Sequence, residues 1–388
     1  MRIQSLSLAG LASSVSAVNL YASSYAGTVT SLALTKGYNG SYSLQAKSTV
    51  EGCGVDPAWV TLDSEAGVLY CSDEAINNRD SVVTSYSTSE SGVLEQIATV
   101  GTIWGPVASV LYANRTAIAQ AHYLGSSVTT LAIKDGELQT LENFTFTQNG
   151  PGPDPDRQDA PHPHQVILDP TESFIIVPDL GSDLLRIFAI NEDATLTPAT
   201  PYRVVPGSGP RHGAFVKTGD ATWFFLISEL ANTVTSFHVG YSNGSLSFTE
   251  VFTAGTYGNM TTPTGAAAAE LLISPDLKFL HTSSRFDELF QLPNFDPSNS
   301  TLIPSDSLAS WSIDAATGSL SFIGLAAAGG RVPRQFSLNA EGSLAAVALQ
   351  SDGTVTIVER DVETGVLGSI VATVDLGAVG VNTVVWDE

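Results

Sequence analysis

The side chains best suited to chemistry follow a loop that is rich in proline, glycine and aspartate. Residues 149–160 form this loop, and Pro161-His162-Pro163-His164 comes directly after it. Proline fixes one backbone angle, so the two imidazoles emerge in restricted directions. Imidazole changes protonation near neutral pH and therefore suits proton transfer. We predict chemistry at this motif, although His162 could instead only position the loop.

Further charged and polar side chains occur later in the chain at places that correspond to the histidines. The candidates are Arg157, Asp179, Arg211, His212, Glu229, Arg285, Arg334, Gln335 and Gln350. Guanidinium groups bind carboxylates and stabilise negative charge that develops on oxygen. A carboxylate near its working pKa can transfer protons, as imidazole can. Together these residue types predict acid–base chemistry on a substrate that carries or develops negative charge.

A motif that repeats every 40 to 50 residues would position these side chains. Six copies each begin with two short apolar runs, at 58–63 and 67–71, 107–112 and 116–121, 164–169 and 173–179, 211–216 and 223–229, 270–274 and 279–285, and 334–338 and 344–350. A third run and a fourth, more polar run complete each copy. Helical periodicity is not sustained anywhere, so we predict four-stranded antiparallel sheets.

The two ends of the chain supply a seventh sheet. Residues 381–386 match a first strand with nothing after it, and residues 18–23, 28–34 and 42–48 match later strands without a first one. Joining the ends closes a ring and removes open sheet edges. We therefore predict an all-β, seven-bladed β-propeller that forms one domain over residues 18–388, although a looser division would give six or eight blades.

In a propeller the first strand of each blade lines the central channel. The loop before that strand and the turn after the second strand border one mouth of the channel. The candidates occupy these places in four successive units. Three of them are arginines at equivalent positions around the ring, which is a high proportion in a chain with only 16 Lys and Arg. The alternative is that they form ion pairs between blades, but desolvation makes buried pairs a poor source of stability.

A bound cation is a second alternative. His162, His164, Asp179 and Glu229 include groups that ligate metals. Arginines that converge on the same mouth would repel a divalent ion. We therefore expect neither a metal nor another cofactor.

The composition limits the partners. With 16 basic and 39 acidic residues the chain has a formal charge of −23, which repels phosphate backbones. Beyond the N-terminus no apolar run approaches the roughly 20 residues that span a bilayer. We expect a monomer that binds a small molecule, with no nucleic-acid or membrane partner.

The N-terminus matches a secretion signal rather than an ordinary frayed end. Met1-Arg2 is positive, an apolar stretch follows, and Val15-Ser16-Ala17 supplies small residues for cleavage, so we predict a signal peptide at 1–17. Cys53 and Cys71, the only cysteines, are expected to form a disulfide in an oxidising compartment. Glycosylation sequons that also fit a secreted, extracellular protein occur at Asn39, Asn114, Asn143, Asn243, Asn259 and Asn299.

The order of several short motifs resembles the seven-bladed propeller lactonase family, which includes bacterial-type 6-phosphogluconolactonases and fungal 3-carboxy-cis,cis-muconate lactonizing enzymes. The motifs are Gly150-x-Gly152, Arg157-Gln158-x-x-Pro161-His162-x-His164, Asp179-Leu180-Gly181-x-Asp183, Gly207-x-Gly209-Pro210-Arg211-His212, Ser228-Glu229-Leu230, Ser283-Ser284-Arg285 and Val332-Pro333-Arg334-Gln335-Phe336. The resemblance spans about residues 18–388 and is densest from 150 to 350.

The resemblance implies a metal-free site in which a histidine, two arginines and a glutamate act on a lactone and its carboxylate. By position these catalytic residues are His164, Arg211, Glu229 and Arg285. The other candidates, expected to bind substrate, are Arg157, His162, Asp179, His212, Arg334, Gln335 and Gln350. Either the histidine or the glutamate would transfer protons. Phe286-Asp287-Glu288 and an insertion to about Ser307 depart from the family and leave the substrate open.

Export favours an unphosphorylated sugar lactone, such as an aldonolactone or cellobionolactone, as the substrate. Ring closure on carboxymuconate by the same residues is an alternative. Another is a non-catalytic secreted propeller that binds glycan or protein on its rim. Such a protein would tolerate replacement of His164 and Glu229 without loss of binding.

Overall fold

The computed structural model describes residues 17–242, 244–377 and 379–388. Apart from Ala17, the predicted signal peptide lies outside this part of the chain, as does Asn243 with its predicted sequon. All regular secondary-structure elements in the described residues are β-strands. The strands are β1 (Ala17–Ser24), β2 (Thr28–Lys36), β3 (Tyr42–Val50), β4 (Pro57–Asp63), β5 (Val68–Asp73), β6 (Val82–Ser87), β7 (Glu95–Gly101), β8 (Pro106–Tyr112), β9 (Ala117–His122), β10 (Ser127–Lys134), β11 (Glu137–Thr145), β12 (Ile167–Leu168), β13 (Phe174–Asp179), β14 (Leu184–Ile190), β15 (Leu196–Pro198), β16 (Tyr202–Arg203), β17 (Pro210–Thr218), β18 (Ala221–Ser228), β19 (Thr233–Ser242), β20 (Ser245–Gly255), β21 (Ala267–Ile273), β22 (Phe279–Arg285), β23 (Phe290–Pro293), β24 (Leu302–Ser305), β25 (Ser307–Ile313), β26 (Leu320–Ala327), β27 (Pro333–Leu338), β28 (Leu344–Leu349), β29 (Thr354–Arg360), β30 (Leu367–Asp375) and β31 (Val381–Asp387).

Seven antiparallel sheets form the blades of a propeller. In chain order they are blade I (β4–β7), blade II (β8–β11), blade III (β12–β16), blade IV (β17–β20), blade V (β21, β22, β25 and β26), blade VI (β27–β30) and blade VII (β31 followed by β1–β3). The first strands of successive blades contact one another around most of the ring, and β13 contacts β17 between blades III and IV. In blade VII, β1 pairs with β31 so that Leu20 lies opposite Trp386. The predicted seven-bladed ring, closed by its two ends, is confirmed.

The hydrophobic core is divided among the spaces between neighbouring blades. Blades IV and V, for example, share a cluster that contains Trp223, Phe225, Leu271 and Trp311. The second strand β18 is buried along nearly its whole length, whereas the fourth strand β11 alternates between exposed and partly buried residues. Sheets that are covered on both faces require continuous apolar strands. Burial between blades leaves the central channel available to polar side chains.

A β-bulge occurs near the start of the first strand in most blades. In blades I, II, IV and VI the strand begins with proline, and the pairing register shifts across the next residue. Proline is tolerated at a first strand position, and a bulge turns one side chain away from the regular pleat. The bulged residues are Ala58, Val107, Arg211 and Arg334. His164 also follows a proline, Pro163, which bridges to Asp179 in blade III.

The polar residue directly before the third strand forms a hydrogen bond with the loop that leads into the next blade. This hydrogen bond occurs in five blades and joins Ser81 to Gly105, Ser126 to Pro161, Asp183 to Gly207 and Gly209, Asn232 to Ala266, and Asp306 to Val332. Because the bulged residues follow these loops within a few positions, the bonds fix where their side chains enter the channel. Neighbouring blades therefore position one another's site residues.

The largest departure from regular blades is the predicted insertion after β22. It contains a hairpin, β23 paired with β24, that belongs to no blade. Its base is held by Asp306, whose carboxylate accepts hydrogen bonds from the backbone N–H groups of residues 286, 287 and 288 at 3.0, 2.8 and 2.8 Å. A rigid turn therefore follows Arg285.

Features linked to the predicted export lie at the surface or in blade I. Cys53 and Cys71 form a disulfide with their Cα atoms 5.9 Å apart. The sequon asparagines in the described residues are exposed, namely Asn39, Asn114, Asn143, Asn259 and Asn299. Their glycosylation stays a prediction. Within the described residues no helix is long and apolar enough to cross a membrane.

Candidate active site

A cavity of about 210 Å³ opens at the end of the channel where first strands begin and second strands end. All seven blades contribute to its wall, through Tyr25, Glu74, Val107, Tyr123, Arg157, His164, Arg211, Glu229, Arg285, Arg334 and Gln350. A larger crevice of about 480 Å³ lies between blades III and IV, but its wall contains no histidine. The concentration of charge, not the largest volume, therefore identifies the candidate site.

Glu229 is the electrostatic centre of one side of the cavity. Its Oε1 accepts a hydrogen bond from Arg157 at 2.6 Å, and its Oε2 lies 2.9 Å from Nε of Arg211 and 2.9 Å from an Nη atom of Arg285. Burial favours the neutral carboxyl group, but the three positive charges outweigh it and lower the pKa of Glu229 to about 2. Glu229 is therefore an anion at neutral pH and a poor proton acceptor.

The three arginines around this carboxylate differ in their access to the cavity. The Arg211 side chain is 1% exposed and donates a hydrogen bond to the Ala269 carbonyl at 2.6 Å. Burial, with the neighbouring positive charge of Arg285, lowers the pKa of Arg211 to about 9, so it stays protonated at pH 7. The side chains of Arg285 and Arg157 are 13% and 40% exposed. Arg211 thus supplies a fixed charge, whereas Arg285 and Arg157 can reach a ligand.

His164 faces the cavity with a second histidine behind it. Its Nδ1 lies 3.2 Å from Nε2 of His212, and Nδ1 of His212 lies 2.8 Å from Oε1 of Glu270. Within the described residues no protein group forms a hydrogen bond with Nε2 of His164. Burial, followed by the positive charge of Arg211, holds the pKa of His164 well below its ordinary value. The imidazole is therefore neutral at pH 7.

The opposite side of the cavity carries a second cationic group. Arg334 contacts the hydroxyl of Tyr25, which also hydrogen-bonds to Glu74, and an Nη atom of Arg334 lies 3.5 Å from Oε2 of Glu74. Burial raises the pKa of Tyr25 above its ordinary value, so the phenol remains protonated. The wall as a whole holds four arginines and two glutamates, a formal excess of two positive charges. An anionic ligand is therefore favoured in a chain that is strongly acidic elsewhere.

The structure brings seven of the eleven predicted site residues to the cavity wall, namely Arg157, His164, Arg211, Glu229, Arg285, Arg334 and Gln350. Four others, His162, Asp179, His212 and Gln335, are buried and are not among the described residues that line the cavity, so the structure places them as support and their contact with substrate stays a prediction. The ring of His162 stacks on Tyr123 with centroids 4.1 Å apart. Asp179 is buried and accepts a hydrogen bond from the His162 backbone N–H at 2.7 Å. Gln335 accepts one from the backbone of Val384 at 2.8 Å.

Five residues of the site were not predicted, namely Tyr25, Glu74, Val107, Tyr123 and Glu270. A signal for each of them exists in the sequence. Tyr25, Glu74 and Tyr123 each directly follow the second strand of their blade, the place that Glu229 and Gln350 occupy. Val107 is a bulged residue like Arg211. Glu270 lies in a register shift near the start of β21 and begins the fifth copy of the repeat, as Arg211 begins the fourth.

The predicted alternative of a metal site finds no suitable ligand group in the described residues, where no three His, Cys, Asp or Glu side chains are arranged to hold an ion. Both carboxylate oxygens of Glu229 contact guanidinium groups. Asp179 pairs with Arg186 at 2.6 Å. The two carboxylates named in that alternative, Glu229 and Asp179, are thus paired with arginines.

The family-model, sequence and structure comparisons all find similarity of this chain to lactonases. Residues 19–385 match the family model described as "Lactonase, 7-bladed beta-propeller". The chain is 34% identical over 313 residues to a protein of Arthroderma benhamiae named "Probable 6-phosphogluconolactonase", covering 80% of this chain and 75% of that one. It is 31% identical over 255 residues to a 6-phosphogluconolactonase of Formosa agariphila, covering 64% and 65%. The structure of a periplasmic gluconolactonase from Pseudomonas aeruginosa shares the fold, with a TM-score of 0.74, 23% identity and coverage of 96% and 99%.

Proposed function

This chain belongs to the lactonase family of seven-bladed β-propellers, and from that membership we propose that the cavity hydrolyses a lactone ring. The observation that carries the proposal is a neutral imidazole, His164, with an unpaired nitrogen beside a cluster of guanidinium groups in one cavity. Lactone opening needs a base for water and positive donors for the oxyanion that forms. The cavity supplies both.

In the proposed reaction Nε2 of His164 takes a proton from a water molecule, and the water oxygen bonds to the lactone carbonyl carbon. Negative charge on the carbonyl oxygen is stabilised by N–H groups of Arg157 and Arg285. The ring C–O bond then breaks, and the imidazolium returns its proton to the leaving oxygen. Glu229 is not the base, because its pKa is lowered to about 2; it holds the three arginines in place.

The substrate that we propose is an unphosphorylated sugar lactone. A volume of about 210 Å³ is below the usual range for drug-sized ligands and suits a single small ring. The predicted signal peptide supports an exported, unphosphorylated substrate. The positive excess in the wall supports binding of the carboxylate product, and it would also accept a phosphate or the carboxylates of a muconate.

The test of this proposal is a hydrolysis assay near neutral pH, corrected for spontaneous ring opening. Gluconolactone, 6-phosphogluconolactone and cellobionolactone are compared, with ring closure of carboxymuconate measured in parallel. We expect the greatest acceleration with an unphosphorylated sugar lactone. Preference for the phosphorylated lactone or the muconate would change the substrate, and no acceleration of any of them would overturn the function.

Phe286, directly after Arg285, gives the substrate proposal a more specific form. Its backbone has φ of 65°, a region that is costly for a bulky residue by about 1–2 kcal/mol. The side chain is 55% exposed, and the guanidinium carbon of Arg285 lies 5.8 Å from the ring centroid. A rigid aromatic face beside the cavity can pack against the C–H groups of a second sugar ring. This favours a disaccharide lactone whose lactone ring occupies the cavity and whose second ring lies outside it on Phe286.

We expect Phe286→Ala to raise KM for cellobionolactone about 3- to 10-fold, because roughly 0.5–1.5 kcal/mol of ring packing is lost. KM for gluconolactone, which has no second ring, should change less than about twofold. Leu302→Ala removes an exposed apolar side chain (60%) from β24 and serves as the control. Equal changes for both lactones in Phe286→Ala would contradict a subsite for a second sugar.

A further inference from the structure

A line of three buried polar side chains runs from the cavity into the protein across three successive blades. His164 precedes β12 of blade III, His212 lies on β17 of blade IV, and Glu270 lies on β21 of blade V. They are 6%, 1% and 3% exposed. The two links measure 3.2 Å between the imidazoles and 2.8 Å between imidazole and carboxylate. Only the outermost member reaches the cavity wall.

The carboxylate determines which nitrogen atoms carry protons. Oε1 of Glu270 also accepts a hydrogen bond from the backbone N–H of Leu271 at 3.0 Å, so it acts as an acceptor. Nδ1 of His212 must then be the donor, which leaves its Nε2 as an acceptor for Nδ1–H of His164. In that arrangement Nε2 of His164 has no proton and is free to act on water.

We propose that Glu270, acting through His212, is a positioning residue that keeps His164 in the tautomer with an unprotonated Nε2 in the cavity. This inference rests on the proposed lactone hydrolysis and assigns the second and third members of its proton-transfer machinery. When His164 takes a proton from water at Nε2, its Nδ1 proton stays in place. The new positive charge then faces a line of hydrogen bonds that ends on an anion.

The positive charges around His164 and His212 make the negative charge of Glu270 important. The charged and titratable groups around His164 and His212 are Tyr123, Arg211, Glu229, Arg285 and Arg334. Burial, Arg211 and Arg334 oppose protonation of both rings, whereas Glu270 favours protonation of His212. No group of the described residues forms a hydrogen bond with the buried Oε2 of Glu270. A buried carboxylate oxygen without a hydrogen bond is unfavourable, which indicates that the carboxylate has a function here. A glutamine amide at this position could also donate a hydrogen bond to His212 and reverse the tautomers of the two histidines.

The test compares Glu270→Gln with Glu270→Asp. We expect Glu270→Gln to lower kcat by ~10²-fold or more with little change in KM, because the amide can donate to His212 and place a proton on Nε2 of His164. Glu270→Asp should restore part of the rate. The acid limb of the pH profile should move to lower pH in Glu270→Gln, since the imidazolium loses its supporting anion. A loss of rate with an unchanged pH profile and no rescue by aspartate would overturn the proposal.

A spectroscopic measurement separates this proposal from the proposed function. The chain has six histidines, so ¹⁵N spectra of the rings can be assigned with His164→Gln. We expect Nε2 of His164 to be unprotonated in the native protein and protonated in Glu270→Gln. Asp169→Asn, which alters a buried acceptor in a turn of blade III, should leave these signals unchanged. A protonated Nε2 in the native protein would overturn the tautomer assignment whatever the lactonase assay shows.

Discussion

Replacement of His164 by alanine is expected to lower kcat for lactone hydrolysis by at least ~10²-fold while the fold is retained. Among the described residues of the cavity wall His164 supplies the one imidazole, and this imidazole is neutral and can accept a proton at neutral pH. Its pKa is held below the ordinary value by burial and by Arg211, so kcat/KM should stay level at neutral pH and fall only when the pH drops through that depressed pKa.

His162→Ala is the matched control for this prediction. The two histidines are separated by one proline, but the His162 ring lies behind Tyr123 and pairs with Asp159 at 2.9 Å. Its loss should reduce kcat less than about 10-fold. Steady-state kinetics with a thermal melt of each variant checks both expectations. Near-native turnover by His164→Ala, or an equal loss in both variants, would remove His164 from the role of base.

Glu229→Gln is expected to lower both activity and the free energy of unfolding. Three guanidinium groups share this carboxylate, and without its charge they would face one another in a buried site. Removing one partner from a buried ion pair typically costs about 3–5 kcal/mol. A denaturant titration measures this loss. From the sequence alone we would expect an intact fold and a defect in proton transfer.

The pH dependence of stability provides a separate check on Glu229. Its pKa is lowered from 4.5 to about 2, so its stabilising contribution is present above pH 4.5 and is lost as the pH falls towards 2. The difference in stability between the native protein and Glu229→Gln should therefore shrink over that interval. Glu74→Gln, which affects one arginine at 3.5 Å, should destabilise less. A constant difference down to pH 2 would contradict the depressed pKa.

The blades and most of the cavity wall could be predicted because they depend on local patterns. Alternating apolar runs and turns indicate the strands, and equivalent positions in the repeats indicate which side chains enter the channel. Tyr25, Glu74 and Tyr123 directly follow the second strand of their blades, as Glu229 does, so the sequence could also have predicted them.

The rest depends on which residues meet across blades. Glu229 is chemically able to transfer protons, and only its contacts with three arginines show that its pKa is lowered. Glu270 begins the fifth copy of the repeat, but the repeat does not show that its carboxylate meets His212 of the neighbouring blade. His162 and His164 have the same local signal, yet a two-residue difference places one ring behind Tyr123 and the other in the cavity.

The closure of blade VII has a consequence for biosynthesis. A nascent chain that has not yet produced β31 lacks the innermost strand against which β1 pairs. Tyr25, which follows β1 and reaches Arg334 in blade VI, then has no fixed place. The cavity wall is thus complete only after β31 has been synthesised and has paired with β1. Incomplete chains, which would expose the unpaired edge of β1, cannot act as enzymes before the ring has closed.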